Sequence, residues 1–221
     1  MLWFKPKIKL DDKLPIALVI VDMQQYFVDR FIEAGYPRTI SRLILTLEKL
    51  IETANALKIP TIFIEHRFVV HYYPFRDEIQ EREPTIPQLF ELSERRLLIE
   101  RNHNNGFLHT YRDRCSGLDP LLKRLGVKSL IMAGVNAYSC VYSTTSTAKF
   151  LGYQIITADD IIASDRKYDH RRSYTQGDFP TTYFDSCSDL IKSLTLARNN
   201  INGDSVSIFQ RRYTSWAKNS G

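Results

Sequence analysis

Two patterns of apolar and polar positions alternate along the chain. Short continuous apolar runs predict buried strands, and longer stretches with apolar residues three and four positions apart predict amphipathic helices. The first run, at 16–21, reads IALVIV; it is too short for a helix, and its β-branched residues suit a strand covered on both faces. Further strands are predicted at 61–65, 97–101, 129–135, 153–158 and 181–185.

Amphipathic stretches lie between these predicted strands. The clearest is 39–58, whose apolar residues follow helical spacing and predict one face packed on a core. Shorter helices are predicted at 118–125, 140–151 and 189–196, and a glycine follows each of the first two. The segment 67–87 has mixed polarity, several aromatic residues and prolines, so we predict a long loop or lid there.

Strands that alternate with helices predict an α/β fold. We expect a three-layer αβα domain with a doubly wound, mostly parallel, six-stranded sheet in the order 3-2-1-4-5-6. The domain is predicted to span 14–197, preceded by an N-terminal arm at 1–13 and followed by a tail or peripheral arm at 198–221. Sheets of this kind place their active sites at the carboxyl ends of the strands, where the strand order reverses.

Two residues capable of chemistry occupy such strand ends. Asp22 directly follows the first strand, where a carboxylate loses water and must be paired, hydrogen-bonded or protonated; capping of the next segment is an equally good interpretation. Cys140 opens the helix after the fourth strand, where the free amides and the helix dipole favour a thiolate. In the predicted strand order both residues face one crevice.

Composition excludes several classes of protein. The 221 residues are 43% hydrophobic and 25% charged, and the net charge of +5 is spread along the chain, so we expect no nucleic-acid partner. No stretch is long and apolar enough for a membrane span, and the charged N-terminus does not resemble a signal peptide. The three cysteines are widely spaced and form no CxxC pair, which favours a cytoplasmic location. Neither a GxGxxG nor a Walker A sequence follows the first strand.

Two segments together resemble a known family. ALVIVDMQQYF at 17–27 and GVNAYSCVYSTTSTAKFLGYQIITADD at 134–160 resemble the isochorismatase-like cysteine hydrolases, which include nicotinamidases, carbamoyl-sarcosine hydrolases and isochorismatases. The resemblance extends over about 14–197. It implies that Cys140 is a nucleophile that forms a thioester with a carbonyl carbon, and that Asp22 is the acid and base.

The same resemblance implies further site residues. A cis peptide is expected between Val135 and Asn136, and the amides of Asn136 and Cys140 are expected to form an oxyanion hole. The expected substrate-binding residues are Gln24, Phe107, Asn136 and Tyr138.

One position departs from the family pattern. The catalytic lysine of the family lies six residues before an F-x-x-T motif, which is Phe107 to Thr110 here, and that position holds Arg101. Arginine keeps the positive charge, but its guanidinium can pair with Asp22 and withdraw the base. The family pattern also implies an insertion of six residues between Thr110 and the helix that begins at Leu118. Glu65-His66-Arg67 stands where an Asp-x-His metal motif is expected, so no metal and no cofactor is predicted and nicotinamide is disfavoured.

Three functions follow from this pattern. The leading prediction is hydrolysis of an amide or carbamoyl C–N bond in a small-molecule substrate through Cys140. The alternative is a catalytically silent relative that binds a ligand or protein, because Arg101 replaces lysine. Vinyl-ether hydrolysis, as in isochorismatase itself, is the third. The family resemblance also leads us to expect a homo-oligomer.

Overall fold

The computed structural model describes residues 15–66, 68–73, 76–81, 83–109, 114–115, 117–176 and 181–201. In chain order the elements are β1 (Ile16–Val21), α1 (Gln25–Glu33), α2 (Pro37–Ala56), β2 (Thr61–His66), β3 (Phe68–Tyr73), β4 (Arg76–Glu81), α3 (Pro87–Phe90), β5 (Arg96–Arg101), β6 (Leu108–His109), β7 (Arg114–Cys115), α4 (Leu118–Arg124), β8 (Ser129–Val135), α5 (Cys140–Phe150), β9 (Gln154–Ala158), β10 (Ile162–Ala163), α6 (His170–Gln176), β11 (Thr182–Phe184) and α7 (Cys187–Ile201).

The central sheet has the predicted strand order. Its strands run β5-β2-β1-β8-β9-β11, and every pairing between them is parallel. In sequence terms this is the predicted 3-2-1-4-5 series followed by the strand at the far edge, and the α/β fold is confirmed. One additional strand, β10, pairs with the end of β8. It is two residues long, too short to give a hydrophobic run in the sequence.

Burial explains why the chain folds in this way. Every residue of β1 and β8 is buried, which accounts for their continuous apolar sequences. Helix α2 turns its apolar stripe inward, and it packs against α1 and α7. Helix α5 contacts β8 and β9. The elements that flank the reversal of strand order are therefore held by the core of the protein, and the strand ends beyond them form the candidate site.

The described residues of the segment 67–87 form two strands and begin a helix, so the sequence prediction of a long loop there is wrong. Strands β3 and β4 pair in antiparallel register, with Val70 opposite Ile79, and the short helix α3 begins at Pro87. The β-branched and aromatic residues of FVVHYY favour a strand. The partner strand has the charged sequence RDEIQE, which does not predict a strand. Helix α1 was also not predicted; it buries Phe27, Val28 and Phe31.

Some predicted segments lie outside the described residues. These are the arm at 1–13, most of the insertion after Thr110, and the tail beyond 201. The first residues of the predicted tail continue α7, which extends to Ile201. Among the described helices, none is both long and apolar enough to cross a membrane.

Candidate active site

Three strand ends bring Asp22, Arg101 and Cys140 to one place. Asp22 follows β1 with a φ of +54°, a left-handed conformation that aspartate tolerates better than most residues. Arg101 ends β5, and Cys140 begins α5 after the turn that follows β8. The exposed fractions of Asp22 and Arg101 are 0%, and that of Cys140 is 5%. The sequence-predicted trio is therefore both assembled and shielded from water.

Arg101 is fixed at two points. Its Nη2 donates to Asp22 Oδ2 at 2.5 Å, and its Nη1 donates to the backbone carbonyl of His103. A buried ion pair offsets its desolvation cost only when the geometry is good and the remaining groups are hydrogen-bonded. The second contact, with the carbonyl, supplies such a bond to the guanidinium. The pairing foreseen from the sequence as a risk to the base is thus present in the structure.

The thiol of Cys140 is held in its protonated form. Its pKa is raised from 9.0 to about 12, first by burial and then by the negative charge of Asp22, while the positive charge of Arg101 acts in the opposite direction. The helix terminus alone predicts a lowered pKa, so the direction differs from the sequence argument. The physical reason is that desolvation and a buried carboxylate outweigh the dipole of a short helix.

The turn before Cys140 leaves two backbone amides without an acceptor among the described residues. The peptide between Val135 and Asn136 is cis, as the family resemblance implies. The Asn136 carbonyl accepts hydrogen bonds from the amides of Ser139 and Val141. Within the described part of the chain, the amides of Asn136 and Cys140 donate to no acceptor. An oxygen that develops negative charge near Cys140 would find two available N–H groups there.

Hydroxyl groups on α5 dock the loop that follows Arg101. Thr144 Oγ1 accepts from the Gly106 amide at 2.9 Å and donates to the Cys140 carbonyl at 2.7 Å. Asn105 Nδ2 donates to Thr147 Oγ1 at 2.6 Å. Sequence reasoning missed these contacts, although a serine and threonine run of poor helix propensity was a signal that α5 has polar partners. These hydrogen bonds fix the loop after Arg101 relative to Cys140.

Two predicted substrate-binding residues are occupied by contacts within the fold. Gln24 is fully buried; its Nε2 donates to the Glu83 carbonyl at 2.6 Å, and its Oε1 accepts from the His66 amide at 2.8 Å. Phe107 is buried and stacks against Tyr153, with ring centroids 6.3 Å apart. Gln24 ties the segment before α3 to the end of β2, and Phe107 helps to hold the docked loop.

The other two predicted substrate-binding residues lie in the turn that precedes Cys140. Tyr138 is partly exposed and donates to Asp165 Oδ1 at 2.8 Å, while the Arg166 guanidinium lies 3.6 Å from the centre of its ring. Asn136 Oδ1 accepts from the Asp165 amide at 3.2 Å. The segment around Asp165 therefore lies against the turn that precedes Cys140.

The residues at the family's metal position form a different contact. Glu65 is buried, and its Oε1 accepts from the Thr85 amide at 2.7 Å. This bond helps to hold the segment before α3 across the end of β2. In the described ranges, no group of three or more histidine, cysteine, aspartate or glutamate side chains is arranged to hold a metal ion.

Solved structures share this fold. A cysteine hydrolase from Pseudomonas syringae pv. phaseolicola is 19% identical, with 88% of this chain and 99% of that chain covered and a TM-score of 0.65. N-carbamoylsarcosine amidase from Thermoplasma acidophilum is 21% identical, with 76% and 96% covered and a TM-score of 0.57. The nicotinamidase from Staphylococcus aureus is 19% identical, with 77% and 97% covered and a TM-score of 0.56.

At these identities the structural likeness shows the fold alone. No curated protein sequence matches the chain. The family model described as the isochorismatase domain matches residues 16–182, which is most of the central domain and includes all three strand-end residues. The chain therefore belongs to the isochorismatase family.

Proposed function

We propose that this protein is a cysteine hydrolase that cleaves an amide or carbamoyl C–N bond in a small molecule. The observation that carries the proposal is the buried cluster of Asp22, Arg101 and Cys140 at the ends of three strands, beside the unoccupied amides of Asn136 and Cys140. A thiol, a carboxylate, a fixed cation and two backbone donors are the groups that acyl transfer through a thioester needs.

The first half-reaction forms the thioester. The Cys140 thiol gives its proton to the Asp22 carboxylate while Sγ attacks the substrate carbonyl carbon. The carbonyl oxygen becomes an oxyanion that accepts hydrogen bonds from the amides of Asn136 and Cys140. The C–N bond then breaks, and the departing nitrogen takes the proton from Asp22. Because the resting thiol is protonated, this proton transfer must accompany the attack.

The second half-reaction releases the acid. A water molecule gives a proton to Asp22 and its oxygen attacks the thioester carbon. The C–S bond breaks, the Cys140 sulfur takes the proton back from Asp22, and the carboxylic or carbamic acid leaves. Arg101 keeps its charge through the whole cycle because a guanidinium does not lose its proton in proteins. Its role is to hold Asp22 and to balance the negative charge.

The test is turnover on a panel of primary amides and N-carbamoyl compounds, followed by ammonia release, with intact mass to detect an acyl-enzyme. Wild type should release ammonia, and Cys140→Ser should lose at least about 1,000-fold in kcat/KM. Cys187→Ser is the matched control because Cys187 is also a buried free thiol but lies at the start of α7. Full activity in Cys140→Ser would disprove the mechanism. Pyruvate release from isochorismate would instead indicate vinyl-ether hydrolysis.

One observation favours a second candidate, a silent relative that binds a ligand without turnover. The Arg101 guanidinium already pairs with Asp22, so the carboxylate is less available as a base. The raised pKa of the Cys140 thiol makes the thiolate scarce, so the nucleophile is weakened as well. Arg101→Lys separates the two candidates. A large gain in ammonia release in the variant, from a wild type with none, favours the silent relative. Strong wild-type turnover on any amide of the panel excludes it.

A further inference from the structure

One polar residue beside the nucleophile has no part in the proposed reaction. Asn104 lies on the loop after β5, and its Oδ1 is 4.0 Å from the Cys140 sulfur, within reach of a thiol donor. Asn104 is exposed, whereas the exposed fraction of Cys140 is 5% and those of Asp22 and Arg101 are 0%. Asn104 therefore lies on the solvent side of the sulfur, which is the side from which a substrate must approach.

Hydrogen bonds to α5 hold the backbone of this residue in place. The Ser143 hydroxyl donates to the Asn104 carbonyl at 2.8 Å. The next residue, Asn105, donates from its side chain to the Thr147 hydroxyl at 2.6 Å. Because Cys140 begins the same helix, Asn104 and the nucleophile keep a fixed relative position. A backbone that is already ordered lowers the entropy that binding a ligand must overcome.

The proposed reaction sets the direction of the groups on the acyl carbon of the substrate. One of them is the Cys140 sulfur. The carbonyl oxygen points to the amides of Asn136 and Cys140, and the departing nitrogen points to Asp22, which protonates it. The remaining group, which stays on the enzyme in the thioester, is left with the solvent side of the sulfur. Asn104 Oδ1 and the partly exposed Ser139 Oγ each lie 4.0 Å from the sulfur.

The Asn104 atom nearest to the sulfur is a hydrogen-bond acceptor. In the resting protein the thiol of Cys140 is a donor within its reach. The thioester has no thiol proton, so this donor is lost when the acyl group is attached. An N–H on the remaining group of the acyl carbon can replace it, whereas a methylene in the same place cannot. A site that offers an acceptor discriminates against the ligand that leaves it unpaired.

We propose that Asn104 is a specificity-determining residue, which accepts a hydrogen bond from an N–H bonded to the acyl carbon of the substrate. This role rests on the proposed function, because the reaction sets the direction of the acyl group. Ureas are then preferred to carboxamides of the same shape. The bond changes stay as described: the C–N bond to the terminal amino group breaks, ammonia leaves, and water releases the acid from Cys140.

The test uses two pairs of probes whose members differ only in an N–H or a methylene next to the acyl carbon. The pairs are N-methylurea with propionamide, and phenylurea with phenylacetamide. One readout is the kcat/KM for ammonia release by the full chain. The other needs no turnover: it is the probe concentration that halves the rate of Cys140 alkylation by iodoacetamide. In the wild type, each urea should protect at an about five- to tenfold lower concentration than its carboxamide, the effect of one neutral hydrogen bond.

Asn104→Ala should remove this difference in protection and lower the urea-to-carboxamide ratio of kcat/KM about five- to tenfold. The ratio cancels the different intrinsic reactivities of the two probes. Asn104→Asp keeps an acceptor at this position and should keep the preference, although its charge slows the reaction of both probes. His103→Ala is the matched control and should leave the preference unchanged. His103 is the exposed neighbour on the same loop, and its contact with Arg101 uses the backbone carbonyl.

Two results would overturn the proposal. One is equal protection by the members of both pairs in the wild type, or protection by none of the four probes. The other is a preference for the urea that survives in Asn104→Ala or is lost equally in His103→Ala. Circular dichroism shows whether each variant is folded.

The two readouts separate this role from the proposed function. Ammonia release with a ratio that Asn104→Ala does not change would refute the role of Asn104 and leave the hydrolysis intact. Selective protection by the ureas without ammonia release would refute the hydrolysis and support recognition by Asn104.

Discussion

Alkylation of Cys140 should be far slower at neutral pH than alkylation of an ordinary thiol. The reactive species is the thiolate, and burial with the charge of Asp22 raises the thiol pKa from 9.0 to about 12. A difference of three pH units means about 1,000-fold less thiolate at pH 7.5 in the folded protein than in an unfolded peptide. The rate constant for iodoacetamide should therefore rise about tenfold per pH unit from pH 7 to 10, without a plateau near pH 9.

Peptide-resolved mass spectrometry measures this rate for each cysteine separately. Asp22→Asn should raise the rate at Cys140 by at least about tenfold, because it removes a negative charge and leaves the Arg101 cation beside the sulfur. Cys187 is the internal control: its pKa is also raised to about 12, first by burial and then by Asp160, so Asp22→Asn should not change it. A plateau in the alkylation rate of Cys140 below pH 9 would refute the reasoning, because it would mean that the thiol pKa is not raised. Low exposure alone slows alkylation equally at every pH and does not change the shape of the pH profile.

Three further changes test the fold around the site. Gly134→Ala should lower the free energy of unfolding in urea by more than about 3 kcal/mol, because φ is +105° and the new Cβ would clash with the Val21 carbonyl oxygen. Gly152→Ala, at a φ of +89° in open space, should lower it by about 1 kcal/mol. Thr144→Val should cost about 1–3 kcal/mol, since it leaves a buried loop amide without its acceptor. Stability should fall above pH 9, by up to about 1.4 kcal/mol per pH unit more in wild type than in Cys140→Ser, because only the unfolded chain loses the thiol proton there.

The main sheet could be predicted because its strands are buried on both faces. A run such as IALVIV in β1 has no polar face that could be confused with a helix stripe. Because the ends of these strands could be predicted, Asp22 and Cys140 could be located just after strands one and four. Their positions are enough to predict that they lie at the same edge of the sheet. Arg101 came from the family motif spacing, not from periodicity. The F-x-x-T motif at Phe107 to Thr110 showed that arginine stands at the position where the family pattern has lysine.

The rest of the site depends on contacts that periodicity does not encode. The hairpin of β3 and β4 has one strongly charged strand, so its pairing is set by the partner strand and not by its own pattern. The hydrogen bonds from Gly106 and Asn105 to α5 join residues about forty positions apart. The thiol pKa also depends on such contacts, because the balance between burial and two opposite charges is fixed only when three strand ends meet.

The arginine at position 101 changes how charge is distributed in the site, because it stands where the family resemblance implies a lysine. A lysine offers one nitrogen, whereas the guanidinium reaches both the His103 carbonyl and Asp22. The cation is therefore held by the backbone even if Asp22 moves, and it cannot take part in proton transfer because it stays charged. In the proposed mechanism, Asp22 is then the group that both takes and gives the protons. If a substrate drew Asp22 toward the thiol, the carboxylate would become available as a base. The Arg101 guanidinium would then still be held by its hydrogen bond to the His103 carbonyl.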